Sequence, residues 1–590
     1  MLPSLLSLPP EILTQCMEYL DYRSLLQCTQ VCRTFKNIVD GSLALQYTIE
    51  LAMDSMEDGK SSHLLNADRL GRLRDLRQAW ANLNWKEFTS IPFSGECSAY
   101  ELVAGVFVKM FLGKEFVLTR LPSSTQPVVD QVELPDQDML VKDFAMDPSQ
   151  DLLAMLVDDA SPPSYTTSRI LTMHLRSLST LHDHPEAEIP QIKISILPGE
   201  MWANLVGVCT IQVAQESLAL FVRQPIKESH LYIWNWKTGR LLINHDDHYG
   251  LPESVYHFGF VTRNAYILTT TRDVGYIYLV EISEELEYRT IVVLCLPEIV
   301  NNVQVEAVIT HSGAITASAT DDEQFIATPE RRIHTFTVMY GFLDPTREAA
   351  TYTLFVPNET FLRYISDYEA RTKTLLSYIM WENWGPGCTR MLLNEGSFNW
   401  MRYAHGQKVV CPAIPGRNIV QVLDFNVHPP RPRTTFHFTR GRLITGPNTL
   451  DRAHIFKEKV RTTLPFYSTS REMDKEYSGF MIDEQRIIAL KTSFAEGGRT
   501  VYFGDIEKNS AFCGDLAGPD DFPHFWIIYG VSPFTYLVDG MMSTGWANAA
   551  ATRSDVEISV FNPANGTTYG TDARLSVRFH NIDEHLFDLP

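Results

Sequence analysis

Histidine and acidic residues lie close together at two places in the sequence, and such side chains can bind a metal ion. The two segments are residues 182–184 (His-Asp-His) and residues 245–248 (His-Asp-Asp-His). Both lie at the ends of predicted strands, where adjacent side chains point to opposite faces, so one segment rarely supplies several ligands to one ion. Cys28 and Cys32 have no second Cys/His pair at zinc-binding spacing nearby. We therefore predict loop histidines, buried thiols and no metal site.

The sequence lacks the common catalytic motifs. It contains no P-loop and no H-E-x-x-H, and Ser543 misses the G-x-S-x-G pattern of serine hydrolases by one position. Residues 385–390 begin like a dinucleotide-binding glycine loop but lack its third glycine, which predicts a turn. Trp381 and Trp384 could line a binding mouth, although buried aromatic residues are the commoner arrangement. We therefore predict no catalytic residue, no cofactor and no enzyme activity.

The charge of the chain is strongly acidic. Its 590 residues include 50 Lys and Arg against 71 Asp and Glu, which gives a net charge of −21. A protein that binds nucleic acid gains affinity from clustered cations that release counterions from the phosphates, and an acidic field opposes that approach. The same field disfavours anionic membrane surfaces. We expect neither nucleic acid nor a membrane among the partners.

Two further features concern the compartment. Residues 102–112 form the longest nearly uninterrupted apolar stretch, which is shorter than the roughly 18 residues that a membrane helix needs. The first thirteen residues have no cationic flank and contain prolines, so they are a poor signal peptide. Nine cysteines, thinly spread, are typical of a reducing compartment. We expect a cytoplasmic and/or nuclear protein.

The first forty residues have the periodicity of three short helices. Pro9 and Pro10 are placed where a first helix begins, since its first turn makes no use of their missing N–H groups. Asp21 or Ser24 is a candidate cap for a second helix, and Gly41 is placed to end the third. Three helices of about ten residues cannot bury all of their apolar side chains among themselves. The surplus favours a binding partner.

The segment Leu8–Asp40 resembles an F-box. The family pattern opens Leu-Pro-x-Glu-Ile/Leu-Leu, continues with an apolar-Tyr-Leu step and a Leu-Leu pair, and closes Val-Cys-Arg-x-Trp/Phe. It is matched here by Leu8, Pro9, Glu11, Ile12, Leu13, Tyr19, Leu20, Leu25, Leu26, Val31, Cys32, Arg33 and Phe35. The departures are mild, because Cys16 and Met17 stand where Ile is common and Phe35 replaces a more frequent Trp.

The resemblance implies a three-helix F-box over residues 1–45 that docks on the Skp adaptor of cullin-based ubiquitin ligases. Some of the matched residues would contact the adaptor and the others would form the module's own core. The residues assigned to adaptor binding in this way are Leu8, Pro9, Ile12, Leu13, Leu20, Leu25, Leu26, Val31, Cys32 and Phe35. The alternative is an ordinary helical subdomain that packs on the rest of the chain.

Residues 46–92 are predicted to be a helical linker. Apolar residues recur at threes and fours from Leu70 to Leu83, which predicts an amphipathic helix. Similar F-box proteins of mushroom-forming fungi carry a comparable segment, represented here by residues 47–51 and 69–85. Four arginines at 69, 72, 74 and 77 could bind an acidic partner, although a solvated helix face that neutralises the acidic body is the simpler interpretation.

The long remainder changes to the period of β-strands. Residues 231–236 alternate, a Lys-Thr-Gly turn follows, and residues 241–243 form the next predicted strand, a unit that resembles the outer half of a propeller blade. Residues 144–154 and 479–490 are predicted hairpins. We predict a degenerate β-propeller of six to eight blades over residues 93–510, with a pair of β-sandwiches as the alternative. Residues 511–590 are either a C-terminal β extension or the last blade.

The predicted fold class is therefore α+β multidomain: an all-α F-box head and helical linker, followed by the mostly-β degenerate propeller. The predicted function is that of a substrate-recognition adaptor of a Skp–cullin–F-box ubiquitin ligase. The F-box would bind the Skp adaptor, and through it the cullin, while the β-rich body would bind a target protein that the sequence does not identify. Two alternatives stay open, namely a propeller-fold hydrolase or lyase with a structural head, and a scaffold that recruits no target.

Overall fold

The computed structural model describes residues 8–59, 64–85, 87–93, 99–111, 114–123, 128–134, 139–158, 169–196, 209–223, 229–245, 251–282, 288–320, 324–344, 346–371, 376–394, 396, 401–427, 441–494 and 554–562. Its helices are α1 (Pro10–Met17), α2 (Tyr22–Val31), α3 (Arg33–Gly41), α4 (Leu43–Met53), α5 (Asn66–Asn82), α6 (Asn358–Ala370) and α7 (Trp381–Cys388). None of these described helices combines the length and apolar character needed to cross a membrane.

The strands up to residue 311 are β1 (Met56–Asp58), β2 (Glu87–Phe93), β3 (Ala99–Val103), β4 (Val106–Phe111), β5 (Glu115–Arg120), β6 (Asp130–Leu134), β7 (Val141–Asp147), β8 (Leu152–Asp158), β9 (Arg169–Ser177), β10 (Gln191–Ile196), β11 (Cys209–Ala214), β12 (Ser217–Val222), β13 (His230–Asn235), β14 (Leu241–His245), β15 (Val255–Thr262), β16 (Ala265–Thr270), β17 (Tyr276–Ile282), β18 (Tyr288–Cys295) and β19 (Val303–His311). The later strands are β20 (Phe325–Ala327), β21 (Ile333–Phe342), β22 (Ala350–Pro357), β23 (Leu376–Ile379), β24 (Arg390–Leu393), β25 (Ala404–His405), β26 (Lys408–Val410), β27 (Ile419–Asp424), β28 (Gly441–Ile444), β29 (Asn448–Leu450), β30 (Val460–Thr462), β31 (Phe466–Glu472), β32 (Gly479–Ile482), β33 (Ile487–Phe494) and β34 (Ser554–Asn562).

The three short N-terminal helices form as the sequence predicts. The Asp21 carboxylate caps α2 by accepting a hydrogen bond from the Ser24 backbone N–H at 2.7 Å. The third helix ends at Gly41, as predicted. The helices share a small core with α4, to which each contributes apolar side chains. Its buried members are Met17, Leu25, Val39, Leu45 and Ile49.

The segment predicted as a helical linker is helical only in part. The predicted amphipathic helix is α5, and it ends at Leu83, whose backbone is in the left-handed region. The segment also contains two strands where helix was predicted. The first, β1, pairs with β20 of the body, and the second, β2, pairs with β34. Pro92 lies within β2. A proline inside a helix removes a backbone hydrogen bond, so a helix could not have continued through this residue without a break. Helical structure therefore stops about ten residues before the predicted boundary at 92.

The body contains seven antiparallel sheets of four or five strands within the part of the chain that the structure describes, with one parallel edge strand in one sheet. We number them along the chain as sheet 1 (β3-β4-β5-β6), sheet 2 (β7-β8-β9-β10), sheet 3 (β11-β12-β13-β14), sheet 4 (β15-β16-β17-β18-β23), sheet 5 (β19-β21-β22-β24), sheet 6 (β25-β26-β27-β31-β28) and sheet 7 (β2-β34-β33-β32). The pairs β1-β20 and β29-β30 stand apart from these sheets. Sheets 1 to 3 are plain meanders, in which each strand pairs with the next along the chain.

Each sheet packs face to face on the next one along the chain. The first strands of sheets 1 to 5 contact one another in succession, β21 contacts β25, and β25 contacts β32. Apolar clusters fill the spaces between neighbouring sheets, and strands such as β8 and β12 are buried over nearly their whole length because both faces are covered. A further cluster joins sheets 7 and 1 through residues that include Leu102, Phe107, Met481 and Ile488. The last sheet therefore contacts the first.

The predicted strand–turn–strand units are confirmed. Residues 144–154 form the β7–β8 hairpin, and residues 479–490 form the β32–β33 hairpin. In the unit at 231–243, Tyr232 and Trp234 stack with ring centroids 5.6 Å apart on the face that also carries the fully buried Trp236. Leu231 and Ile233 on the opposite face are buried as well, in the core between sheets 3 and 4, so both faces of this strand are covered.

The prediction of a turn at residues 385–390 is wrong, because residues 385–388 form the second half of α7. This helix contains Pro386, which disfavours a helix interior. Burial outweighs that preference, since Trp381 and Trp384 are both buried in the core between sheets 4 and 5. Gly385 packs so closely on the Trp381 ring that a Cβ atom would lie 2.4 Å from it. The prediction that the two tryptophans are buried is confirmed.

Replacing Leu73 with alanine should destabilise the whole protein. Leu73 is 1% exposed and lies on the face of α5 that shares a core with sheets 6 and 7. We expect its truncation to cost about 2–5 kcal/mol, because a buried leucine leaves a cavity. The exposed neighbour Arg72 provides the control, and Arg72→Ala should change stability by less than about 0.5 kcal/mol. Urea unfolding followed by tryptophan fluorescence measures both, and equal effects would contradict the docking of α5.

Candidate functional site

Four of the residues assigned to adaptor binding are accessible on the three-helix head. The side chains of Leu8, Ile12 and Val31 are 39%, 42% and 70% exposed, and Pro9 is also exposed. A fifth apolar residue, Tyr19, is 92% exposed between α1 and α2, although it was not among the residues assigned to binding. Large apolar side chains exposed together on so small a unit are typical of a protein-binding surface.

The other assigned residues face the interior of the head to different degrees. Leu13 and Leu25 are buried, at 3% and 0% exposure. Leu20, Leu26 and Phe35 are half-buried and pack against the core cluster of the head. The Cys32 thiol caps α3 by accepting a hydrogen bond from the Phe35 backbone N–H at 3.5 Å. The structure therefore separates the set into accessible residues and residues that hold the helices together.

The buried carboxylate of Glu50 links α5 to α4, the helix that shares the core of the head. Arg74 and Arg77 both donate to it, at 2.5 Å and 3.1 Å, and Arg77 also donates to Asp54 at 2.6 Å. Burial by itself would raise the pKa of Glu50, but the hydrogen bonds and charges of the two arginines outweigh it and hold that pKa below its ordinary value. Part of the predicted arginine cluster thus pairs with acids of this same chain.

The apolar face of α5 anchors the head to the body. Leu70, Leu73, Leu76 and Trp80 are buried in one cluster with side chains of sheets 6 and 7. The β1–β20 pair adds backbone hydrogen bonds between the segment after α4 and the body. Because these contacts involve a helix and a strand that directly follow the head, they fix its orientation on the sheets.

The histidine segments that could have bound a metal serve the fold where they are described. His184 is 4% exposed; its Nε2 lies 2.9 Å from the Gln150 carbonyl oxygen and its Nδ1 accepts from the Glu186 N–H. His245 Nε2 lies 3.0 Å from the Tyr266 hydroxyl, while residues 246–248 lie outside the described residues. Among the described residues, no cluster of three or more His, Cys, Asp or Glu side chains could hold a metal ion.

Two neighbouring cavities of about 40 Å³ each lie among the sheets and share the Arg402 side chain. Arg402 has a left-handed backbone (φ 67°) and donates to the buried Glu101 carboxylate at 2.5 and 2.6 Å. This ion pair joins sheet 1 to the segment that precedes sheet 6. His405 bonds to the Glu484 carboxylate at the wall of the first cavity. Neither pair has a local signal in the sequence, because the partners are 301 and 79 residues apart.

Three buried histidines, His257, His311 and His334, lie near the cavities on strands of sheets 4 and 5. Burial lowers the pKa of His257 to about 4 and that of His334 to about 3, and the nearby charges of Arg223 and Arg332 act in the same direction. Burial and the Arg402 charge hold the pKa of His311 well below its ordinary value. All three rings are neutral at pH 7, so their protonation at lower pH would destabilise the folded protein.

The comparisons with known proteins identify the head. Residues 5–44 match the family model of the F-box domain, so the N-terminal helices form an F-box and the chain has the defining module of F-box proteins.

Similarity to curated proteins is confined to a short stretch. The chain is 58% identical to ZEB2-regulated ABC transporter 1 of Gibberella zeae over 80 residues, which is 13% of this chain and 5% of the transporter. It is 56% identical to the ABC-type transporter eriD of Hericium erinaceus over 63 residues, 10% of this chain and 4% of that protein. The chain thus spans about a twentieth of these relatives' length.

Two solved structures with similarity to this chain are WD40 domains, and both similarities are low. The WD40 domain of SCAP from fission yeast is 8% identical with a TM-score of 0.28, and the match covers 68% of this chain and 92% of that one. The WD40 β-propeller domain of Doa1 is 12% identical with a TM-score of 0.22 and covers 45% and 84%. At such scores these matches support no argument about the body.

Acidification should destabilise the protein through the buried histidines. In the unfolded chain these histidines have a pKa of about 6.5, whereas in the folded protein the pKa is about 4 for His257 and about 3 for His334. The unfolded chain therefore binds their protons at a higher pH than the folded protein does. Each should therefore remove about 2 kcal/mol of stability by pH 5. Thermal unfolding of wild type and His257→Phe at pH 7.5 and 5 measures this, with exposed His182→Gln as control. Equal pH dependence in all three would contradict the account.

Proposed function

We propose that the protein is a substrate-recognition subunit of a Skp–cullin–F-box ubiquitin ligase. The observation that carries this proposal is an F-box at residues 5–44 whose apolar residues Leu8, Ile12 and Val31 remain accessible on the folded chain. A helical subdomain that merely packed on the body would have these side chains covered by it. The exposed set instead offers a protein partner an apolar surface whose burial would be favourable by about 25 cal/mol per Å².

For the body we propose a degenerate β-propeller of seven blades, within the predicted range of six to eight. The proposal is supported by seven successive antiparallel sheets, by their face-to-face packing in chain order, and by the apolar cluster between sheets 7 and 1. A pair of β-sandwiches would not require contact between the last and first sheets. In this arrangement β34, at residues 554–562, completes the seventh blade together with β2, β32 and β33.

Target recognition falls to the body in this proposal. We assign residues 1–45 to the F-box, residues 46–92 to the connecting segment, whose last strand β2 joins the seventh blade, and residues 93–510 to the propeller. Residues 511–590 contribute β34 to that same last blade. The docked α5 holds the F-box and the body in one orientation, so a target bound to the body stays close to the ligase. A net charge of −21 favours a target with a basic patch. The complex would act in the cytoplasm, the nucleus or both, without bond chemistry by this chain.

Charged substitutions on the exposed F-box surface should abolish adaptor binding without unfolding the protein. Ile12→Asp and Val31→Asp each place a carboxylate where an apolar contact is proposed, and we expect at least a tenfold loss of affinity for the Skp adaptor. Both side chains are already exposed, so the thermal midpoint should change little. The matched control is Leu343→Asp, which alters an apolar residue of the body that is 64% exposed. Surface plasmon resonance with purified adaptor measures all four proteins.

Unchanged affinity in both F-box variants would overturn the assignment of the adaptor surface. Proximity labelling with the Ile12→Asp chain tests the target-binding half separately. The variant should lose the adaptor and cullin from its labelled neighbours but keep the proteins that bind the body. If the remaining labelled neighbours match those of an unrelated acidic protein, the chain recruits no target, and the scaffold alternative holds.

A further inference from the structure

The first of the two cavities described above has a free hydrogen-bond donor in its wall. Arg402 donates to Glu101 through Nε and Nη2, at 2.5 and 2.6 Å. Its Nη1 carries two further N–H groups, which donate to no described residue. The Arg402 side chain is 17% exposed, and its Nη1 atom is accessible to solvent. Because this side chain lines the cavity, these N–H groups are available to a group bound there.

The same wall offers a free acceptor. Glu484 Oε2 accepts hydrogen bonds from His405 and from the Ala327 backbone N–H, whereas Oε1 accepts none from any described residue and is accessible to solvent. Burial would raise the pKa of Glu484, but the charge and hydrogen bond of His405 outweigh it and hold that pKa below its ordinary value. Glu484 and Arg402 each form an ion pair with another residue and not with each other. A donor and an acceptor therefore line one cavity without satisfying one another.

The cavity has room for a small group between them. Its volume of about 40 Å³ is roughly three times the space that one water molecule needs, so it holds a group of about three heavy atoms. Half-buried turn residues form part of the wall, so the cavity is reached from the end of the body that carries these turns. They are Ala104, Thr316, Thr328 and Gly406.

The charges around the cavity favour a neutral group. A cation would lie near the guanidinium groups of Arg402 and Arg332; burial lowers the pKa of Arg332 to about 9, so it is still charged at pH 7. An anion would lie near the carboxylates of Glu484 and Asp483. Like charges repel strongly where water is largely excluded. A primary carboxamide avoids both repulsions, has three heavy atoms, and carries an acceptor oxygen beside a donor NH2 group.

We propose that this cavity binds the side-chain carboxamide of a glutamine or asparagine of the target protein. The amide oxygen accepts a hydrogen bond from Arg402 Nη1, and the amide NH2 group donates to Glu484 Oε1. Both protein groups gain the partner that they lack, which is favourable because an unsatisfied polar group in a largely buried position is costly. The assignment to a target protein rests on the function proposed above, whereas the amide site itself does not.

Titrations of the full chain, followed by saturation-transfer NMR, test the site with three probes of one backbone: the N-acetyl methylamides of glutamine, glutamate and ornithine. The glutamine probe should saturate and bind at least tenfold more tightly than the two charged probes. Arg402→Lys keeps a cation beside Glu101 but lacks Nη1, and it should bind the glutamine probe at least tenfold more weakly. Arg461→Lys on β30 is the matched control, because that arginine is exposed and its replacement should leave binding unchanged.

The proposal is overturned if the glutamine probe does not saturate, if the three probes bind equally, or if a folded Arg402→Lys chain binds as wild type does. Ordered water would then fill the cavity. If Arg402→Lys does not fold, the comparison of the three probes on wild type decides the question. Free L-glutamine identifies the source, since tighter binding of the free amino acid than of the probe would overturn the assignment to a protein side chain. A chain that binds the Skp adaptor but none of the probes refutes the amide site and leaves the F-box assignment intact.

Discussion

The burial of the apolar face of α5 is the contact on which the arrangement of the whole chain depends. Its leucines and Trp80 belong to the same core as sheets 6 and 7, while its arginines bind Glu50 and Asp54 at the end of α4. One helix therefore contacts the body on one side and, on the other, α4, which shares the core of the head. The pairing of β1 with β20 adds a second contact between the segment after α4 and the body.

This constraint explains why the F-box residues divide into two groups. A head of three short helices has enough apolar side chains for a small core, formed around Leu25, and a remainder that includes Ile12 and Val31. In a free domain the remainder could be covered by rearrangement of the helices. Here the helices are held by their core and by the junction, so the remainder stays accessible to another protein.

Local signals in the sequence were sufficient for the features that depend on neighbouring residues. The Asp21 cap, the periodicity of α5 and the alternation in β13 each act within a few positions, and each predicted the structure found. The junction strands were missed because β1 pairs with residues 325–327, far along the chain. The ion pair of Glu101 and Arg402 at the cavity was missed for the same reason, because the two residues are 301 positions apart in the sequence. No periodic pattern records a pairing over such distances.

Photo-crosslinking shows whether the exposed F-box residues form the adaptor surface, because it reports which side chains face the adaptor in the assembled complex. Benzoylphenylalanine would be placed at Ile12, Tyr19 or Val31 of the full chain, and at Leu343 of the body as a reference. We expect crosslinks to the Skp adaptor from one or more of the three head positions and none from position 343. Crosslinks from position 343 but from none of the head positions would contradict it, because the adaptor would then bind the body instead of the exposed F-box surface.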